Sequence, residues 1–333
     1  PHLNRMSMKR ILGLTLPWIG DNQFPGVKYP PLTLTVTSFT VYSYACTFTL
    51  YIYPVTSRTN ETDSTIFDGN IALNGAGGGL HLYYGSNNNI LVNTDFINNQ
   101  ARGIGSSYGG GFYSWISSLS TICTQLYFRN NSAQTSGGGM ALMSGNFGGS
   151  VLNSYFTENA AAISGGSLYI GSSNGQGTFT QQNEFYINDT FITSSTAANG
   201  GGMYFDVNNN VILTNCTLQN NSASGGGGGL YLSTGNQLQI YRSVLCQNRA
   251  DVNGGGILSF ALNSLYLEQV NLRANQAHMI GGGIYLQGNS LLSIHSQVLV
   301  ENNQAVFGGG GIGISEAPLW NVLSPNISHM GIS

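Results

Sequence analysis

Charge is scarce in this 333-residue chain. Asp, Glu, Lys and Arg together make up 7% of it, against about 25% in an ordinary soluble domain. The only lysines are Lys9 and Lys28, and the formal net charge is −3. A protein that binds nucleic acid needs a basic stripe to neutralise phosphates, and the sequence contains no such stripe. We therefore expect no nucleic-acid partner.

Helical periodicity is also lacking. No ten-residue stretch of the repeats keeps apolar residues at helical spacing. Apolar and polar residues instead alternate with a period of two, as in Leu230-Tyr231-Leu232. Short alternating runs bounded by Gly, Asn and Ser are typical of β-strands and turns. We therefore expect an all-β protein.

Glycine, with 47 residues, is abundant and regularly placed. An apolar residue follows each of the glycine runs that end at Gly202, Gly229, Gly256, Gly283 and Gly311. A second marker, also repeating every 27 residues, is formed by Leu218, Leu245, Leu272 and Leu299. A fixed period of this length is the signature of a solenoid. Less regular copies begin after Gly79, Gly111, Gly139 and Ser167.

The repeat length fixes the expected architecture. A 27-residue unit has room for three short strands and three turns, which is one rung of a parallel β-helix. We predict a right-handed, single-stranded parallel β-helix of about nine rungs over residues 67–314. Residues 1–66 are predicted to hold an N-terminal segment and a β cap, because an open rung needs a cover. Residues 315–333 are expected to form a C-terminal tail.

Alternation assigns side chains to the inside or the outside. The residue after a glycine run and the residue two positions later are predicted inside, as for Leu230 and Leu232. The residue between them is predicted outside and is a tyrosine in five rungs: Tyr113, Tyr169, Tyr204, Tyr231 and Tyr285. Cys123 and Cys216 fall inside, where a thiol behaves as a small apolar group, and Cys246 falls outside. We expect no disulfide framework, and an inter-chain bond through Cys246 stays open.

An asparagine follows the inner Phe or Leu by three residues in nearly every rung. Stacked at the rung spacing, these amides are expected to hydrogen-bond from one rung to the next. The predicted ladder, with a structural role, consists of Asn99, Asn131, Asn159, Asn221, Asn248, Asn275 and Asn302.

The early repeats resemble a known family. Phe67-x-x-Asn70, Phe96-x-x-Asn99, Phe128-x-x-Asn131 and Phe156-x-x-Asn159, each followed by a Gly-Gly-x-apolar element, are similar to the repeats of the chlamydial polymorphic outer-membrane proteins. The resemblance covers about residues 67–314. It implies a right-handed β-helix displayed on a surface, with adhesion as the usual role. The chain departs from the family where later rungs carry Leu for Phe and a glycine triplet for Gly-Gly-Ala.

An enzyme that cleaves polysaccharides is the alternative, because parallel β-helices often have that activity. General acid–base hydrolysis needs two carboxylates held about 5–10 Å apart, and Asp206 has no acidic neighbour in its column, where Gly171 and Ser233 stand. The five histidines are scattered. We therefore expect no enzyme, no catalytic residue, no metal site and no cofactor. A glycan-binding module remains a further alternative.

Six N-glycosylation sequons suggest an extracellular location. They begin at Asn60, Asn130, Asn188, Asn215, Asn220 and Asn326. Asn188 and Asn215 are predicted to share one bend, and Asn130 and Asn220 to share another. A chain this rich in Asn, Ser and Thr produces about as many sequons by chance, so their number alone decides nothing.

The sequence therefore predicts an extracellular or cell-surface β-helix glycoprotein with a structural or adhesive role. Low charge removes the repulsion that keeps proteins monomeric, so the expected partner is the chain itself, end to end or side by side. Glycans are a possible second partner, and the five tyrosines are the hypothetical contact face. No membrane span is expected within this chain.

Overall fold

A computed structural model describes residues 35–36, 39–42, 60–62, 65–82, 89–103, 105–115, 121–143, 149–172, 184–315 and 320–322. The chain divides into two units, residues 1–31 and 32–333, and every described residue belongs to the second. Most of the predicted cap, most of the C-terminal tail and Asn326 lie outside these residues. All regular elements in the described part are β-strands, and all their pairings are parallel.

Sheet 1 begins directly after the glycine runs, and its strands contribute two inward residues to each rung. It has nine strands, one in each rung, so the chain makes eight turns of the solenoid from the first of them to the last. They are Leu80–Leu82, Phe112–Ser114, Met140–Leu142, Leu168–Ile170, Met203–Val207, Leu230–Thr234, Ile257–Ala261, Ile284–Leu286 and Ile312–Ile314.

Sheet 2 follows in each rung and has eleven strands. They are Thr35–Val36, Asn60–Thr62, Asn89–Val92, Ile122–Thr124, Ser150–Leu152, Phe185–Asn188, Asn210–Thr214, Gln237–Tyr241, Ser264–Glu268, Leu291–Ile294 and Trp320–Val322.

Sheet 3 carries the inner Phe or Leu and has ten strands. They are Phe39–Tyr42, Thr65–Asp68, Thr94–Ile97, Tyr127–Arg129, Tyr155–Thr157, Phe191–Thr193, Thr217–Gln219, Val244–Cys246, Asn271–Arg273 and Leu299–Glu301.

Sheet 4 was not predicted from the sequence. Its strands are only two residues long, and each ends on an alanine shortly before the next glycine run. Its nine strands are Ile71–Ala72, Gln100–Ala101, Ser132–Ala133, Ala160–Ala161, Thr196–Ala197, Ser222–Ala223, Arg249–Ala250, Gln276–Ala277 and Gln304–Ala305. A rung therefore has four strands rather than three. The all-β parallel solenoid is confirmed, and its right-handed winding stays a prediction.

The core fills the inside of the solenoid as alternation predicted. Leu230, Leu232, Leu238 and Ile240 are all at most 1% exposed. In the early rungs, the inner phenylalanines of sheet 3 stack face to face, with ring centroids 4.6 Å apart for both Phe96–Phe128 and Phe128–Phe156. This stack explains the Phe-x-x-Asn pattern, since parallel in-register strands bring identical side chains into contact.

The glycine triplet answers a steric need at each of its three positions. Gly227 has a φ of +68°, which favours glycine. A Cβ on Gly228 would collide with the carbonyl oxygens of Arg249 and Gly255, and one on Gly229 would lie 2.7 Å from the carbonyl oxygen of Gly256. Adjacent rungs therefore touch backbone to backbone at this corner.

The asparagine ladder is present, and each buried amide links three rungs. Asn248 donates from its backbone N–H and its Nδ2 to Asn275 Oδ1, both at 3.0 Å, and from Nδ2 to the Leu218 carbonyl at 2.9 Å. The ladder also includes Asn70, whose Nδ2 donates to Asn99 Oδ1. One amide departs from this pattern: Asn159 Nδ2 donates to Ser167 Oγ, because Ser195 stands at the next position of the ladder. The other amides donate from rung to rung, which lowers the cost of burying these side chains.

The last member of the predicted ladder was wrong. Leu272 pairs with Val300 and not with Leu299, since the last rung is one residue longer. Asn303 is therefore the ladder residue and accepts from Asn275 at 2.9 Å. Asn302 lies at the exposed side of the preceding corner, where its φ is +53°.

Candidate functional site

The outer column of sheet 1 was the predicted contact face. The register brings all five tyrosines into one column, but other residues interrupt it: in order, the column reads His81, Tyr113, Ala141, Tyr169, Tyr204, Tyr231, Leu258, Tyr285 and Gly313. Only Tyr169, Tyr204 and Tyr231 are consecutive. The predicted continuous aromatic face is therefore limited to three rungs.

Those three rings stack on one another. The ring centroids of Tyr169 and Tyr204 lie 5.5 Å apart at an interplanar angle of 11°, and those of Tyr204 and Tyr231 lie 4.9 Å apart at 12°. The ring faces are thus turned toward neighbouring rungs, and an approaching molecule meets ring edges and hydroxyl groups.

The remaining two tyrosines are largely covered. Tyr113 and Tyr285 are 5% and 6% exposed, and Tyr169 is 8% exposed. Tyr108 packs against both Tyr113 and Tyr169, with ring centroids 6.0 and 5.9 Å away, beside the small Ala141. Half-buried Tyr204 and Tyr231 are therefore the accessible part of the column.

A carboxylate, Asp206, lies beside the stacked rings. It accepts hydrogen bonds from the Tyr169 hydroxyl at 3.2 Å and from Ser172 Oγ at 2.9 Å. The contact between Tyr169 and Asp206 joins residues 37 apart, so no local sequence pattern indicates it. Burial, followed by the Asp206 charge, raises the pKa of Tyr169. Burial, with a smaller effect from Tyr204, raises the pKa of Tyr231 to about 12. The Tyr169 and Tyr231 hydroxyls therefore stay protonated near neutral pH, and the Asp206 carboxylate lies beside them.

No group of three or more His, Cys, Asp or Glu side chains that would hold a metal ion is found among the described residues. Asp206 is held by two hydroxyl groups and faces Ser233 in the next rung, as the sequence indicated. The absence of catalytic function stays a prediction.

Three sequons lie at exposed corners. Asn130, Asn215 and Asn220 are exposed, and all have φ between +53° and +55°. Asn130 and Asn220 occupy the same corner, as predicted. Asn188 does not share the Asn215 bend: it ends a sheet 2 strand and pairs with Thr214, and Asp189 takes the bend position. The side chain of Asn60 lies outside the described part.

The cysteines differ from expectation in two ways. Cys216 is buried, but at a corner where the neighbouring rung has Ser243; its thiol contacts the carbonyls of Ile187 and Thr214 as a hydroxyl would. Cys246 points away from the core yet is only 4% exposed. An inter-chain bond through Cys246 therefore requires its cover to move.

The described C-terminal rung forms a second candidate surface. A cavity of about 450 Å³ is lined by Leu299, Val300, Glu301, Asn302, Asn303, Gly310 and Gly311. Val306, Phe307 and Ile314 of the same rung are 65%, 71% and 44% exposed. Ile314 stands at an inner position, since it pairs with the fully buried Leu286, whereas Val306 and Phe307 lie at an outer corner, where Met279 of the preceding rung is also exposed. Val300 and Ile312, which pair with the fully buried Leu272 and Ile284, are only partly buried. This end of the core is therefore apolar and accessible.

Comparison with known proteins supports the predicted resemblance. Residues 215–233 match the model of the Chlamydia polymorphic membrane protein repeat, so the resemblance to that repeat is confirmed. The match supports a surface or secreted β-helix protein.

A solved structure, the Dettilon tailspike protein (gp208), is similar over 88% of this chain, with 13% sequence identity and a TM-score of 0.30. This chain spans 62% of the tailspike chain. No curated protein matches the chain. Within the described residues, no helix has the length and apolar character needed to cross a membrane.

Proposed function

We propose that this chain is a structural β-helix displayed on a cell surface or secreted, and that copies associate through the described C-terminal rung. The repeat match supports the location. The accessible cavity lined by residues 299–303, 310 and 311 supports the association, because a free solenoid end is a template for pairing with another chain.

The polar groups of the described C-terminal rung also favour a second copy of this chain as the partner. Asn303 donates from Nδ2 to the Leu272 carbonyl, as other ladder residues do toward the preceding rung. The backbone N–H of a ladder asparagine normally donates to the next Oδ1, as from Asn275 to Asn303. In the part of the chain described here, the Asn303 N–H has no such acceptor. Strand edges of a second copy would supply acceptors and cover the core.

The apolar side chains supply the expected driving force. Phe307 and Val306 are among the most exposed large apolar side chains in the described part. Burying apolar surface is worth about 25 cal/mol per Å². Charge does not oppose the contact strongly, since Glu301 is the one charged residue lining the cavity.

The test is sedimentation velocity on the full chain from about 1 to 100 μM, a range chosen to cover ordinary association constants, with electron microscopy of the same samples. We expect concentration-dependent association. Ile314→Lys should weaken it at least tenfold, because Ile314 is 44% exposed at an inner position that the contact would bury together with the charged group. Leu262→Lys is the matched control, since Leu262 is 63% exposed on an outer corner away from this end.

Two results would overturn the proposal. One is a chain that sediments as a single monomeric species throughout the range. The other is equal association by both lysine variants, which would place the contact elsewhere. Thermal unfolding of each variant would show that a change in association does not come from loss of fold.

A further inference from the structure

A cluster of polar and aromatic side chains lies on the outer face of sheet 2, away from both surfaces described above. It comprises Gln239, Tyr241, Tyr266, Glu268 and His295, which we call the Tyr266 patch. The register pairs Gln239 with Tyr266 and Tyr241 with Glu268 on adjacent strands, and His295 follows the next strand directly. All five side chains are partly exposed.

Both tyrosine hydroxyl groups of the patch already donate a hydrogen bond to another side chain within it. The Tyr241 hydroxyl donates to Gln239 Oε1 at 2.7 Å, and the Tyr266 hydroxyl donates to Glu268 Oε2 at 2.8 Å. A tyrosine oxygen whose proton is engaged presents only lone pairs to an approaching group. Together with the carboxylate of Glu268, the patch therefore presents mainly hydrogen-bond acceptors.

Aromatic rings line these acceptors. The ring centroids of Tyr241 and Tyr266 lie 5.5 Å apart at 45°, and those of Tyr266 and His295 lie 4.1 Å apart at 27°. Because Tyr266 has a ring on each side, its faces are turned toward the neighbouring rungs, as in the sheet 1 column, and the attraction for a cation comes from the carboxylate and the lone pairs.

No cation of the described chain neutralises Glu268. Within the described residues the ion pair found is between Arg249 and Asp251, and the lysines lie at positions 9 and 28. Arg242, next in the chain after Tyr241, is exposed and forms no ion pair with Glu268. The patch thus has an uncompensated negative charge.

We propose that the Tyr266 patch binds an arginine side chain of a partner protein's exposed segment. A guanidinium group has five donors and no acceptor, which complements a surface of acceptors. It is also planar and pairs with carboxylates through two hydrogen bonds. The patch does not include the C-terminal rung, so this inference is independent of the proposed self-association.

The test uses the full chain and a pentapeptide with two arginines between glycines. A second peptide replaces both arginines with citrulline, which keeps the shape and removes the charge. Calorimetry or NMR titration should show binding of the arginine peptide and at least about tenfold weaker binding of the citrulline peptide, as expected when a charge-assisted hydrogen bond is lost.

Two variants test whether the arginine peptide binds at the Tyr266 patch. Glu268→Gln keeps an oxygen that accepts from Tyr266 but removes the charge, and should weaken arginine-peptide binding about tenfold. Asp206→Asn is the matched control, because it also removes a carboxylate that accepts from a tyrosine, but on sheet 1. Equal binding of both peptides, equal loss in both variants, or no binding up to about 1 mM would overturn the proposal.

Discussion

Individual residues at the corners of the solenoid have roles that their chemical class alone does not indicate. Cys216 is the clearest example. Its thiol contacts the Ile187 and Thr214 carbonyls, and its backbone N–H donates to Ser243 Oγ at 3.0 Å. The residue therefore belongs to a run of small polar side chains formed by Ser154, Thr190 and Ser243 with Cys216 itself. The column turns apolar on either side of this run, at Leu126 and Val270.

Replacement of Cys216 should distinguish a polar role from an apolar one. We expect Cys216→Ser to leave the free energy of unfolding within about 1 kcal/mol of the native value, whereas Cys216→Val should cost about 1–3 kcal/mol by leaving buried polar groups unpaired. Chemical denaturation measures both. A more stable valine variant would contradict the polar role.

The same burial predicts low reactivity. Burial raises the pKa values of Cys123 and Cys216 to about 12. Since the thiolate is the nucleophile, both thiols should stay protonated and unreactive toward a thiol reagent at pH 8 in the folded chain. They should react after denaturation.

The asparagine ladder predicts a large effect from one amide. Asn248→Ala removes the acceptor for Asn221 and the donor to Leu218, so we expect a loss of about 2–4 kcal/mol in unfolding free energy. Asn302→Gly is the control, because glycine suits its φ of +53° and should change stability little. Equal losses would show that the ladder stabilises the fold no more than a corner does.

The sequons differ in accessibility, which predicts selective modification. In a host that performs N-glycosylation, we expect glycans on exposed Asn130, Asn215 and Asn220. We expect none on Asn188, whose Oδ1 is buried in a strand. Peptide mapping by mass spectrometry measures each site. An occupied Asn188 would show that the strand forms only after modification.

At the scale of elements, the strands and their inward faces could be predicted because a period of two is set by backbone geometry. Leu238 and Ile240 are buried as expected. The two-residue strands of sheet 4 could not be predicted, since two residues are too few to show alternation. A second internal ladder, from Asn209 through Asn236 to Asn263, was also missed. Its recurrence every 27 residues was a signal that the sequence did contain.

The tyrosine column yields a prediction at this scale. Because Tyr204 and Tyr231 stack on each other and are half-buried, replacing both with Ser should lower the free energy of unfolding by about 2–4 kcal/mol. Thermal or chemical unfolding tests this. Unchanged stability with lost binding or self-association would instead make the column a contact face, as first hypothesised.

For the candidate surfaces, the sequence placed the tyrosines in one column but could not show which way their rings turn. Ring orientation depends on the neighbouring rungs, where Ala141 and Leu258 break the stack. Asp206 was correctly found to lack an acidic neighbour, yet its contact with Tyr169 arises only when the rungs stack. The sequence therefore indicates columns well and contacts between columns poorly.

The described solenoid, taken as a whole, is built from rungs that contact their neighbours, so it should tolerate loss of a complete rung. Deleting residues 230–256 joins Gly229 to Ile257, which takes the place of Leu230 in the register. We expect a folded, somewhat less stable chain by circular dichroism and thermal unfolding. Deleting residues 230–255 instead shifts the following strand by one position and should prevent native folding, because inward and outward side chains exchange places.

The asparagine ladder also makes the solenoid electrically directional. The amides point the same way on both sides of Ser195, which interrupts the row between Asn159 and Asn221. The row therefore begins with a carbonyl oxygen at Asn70 and ends with the N–H groups of Asn303. Aligned amide dipoles add along the row, as they do in a helix. An assembly in which copies join in line with this row would therefore have two chemically different ends, and new copies would add at unequal rates to each.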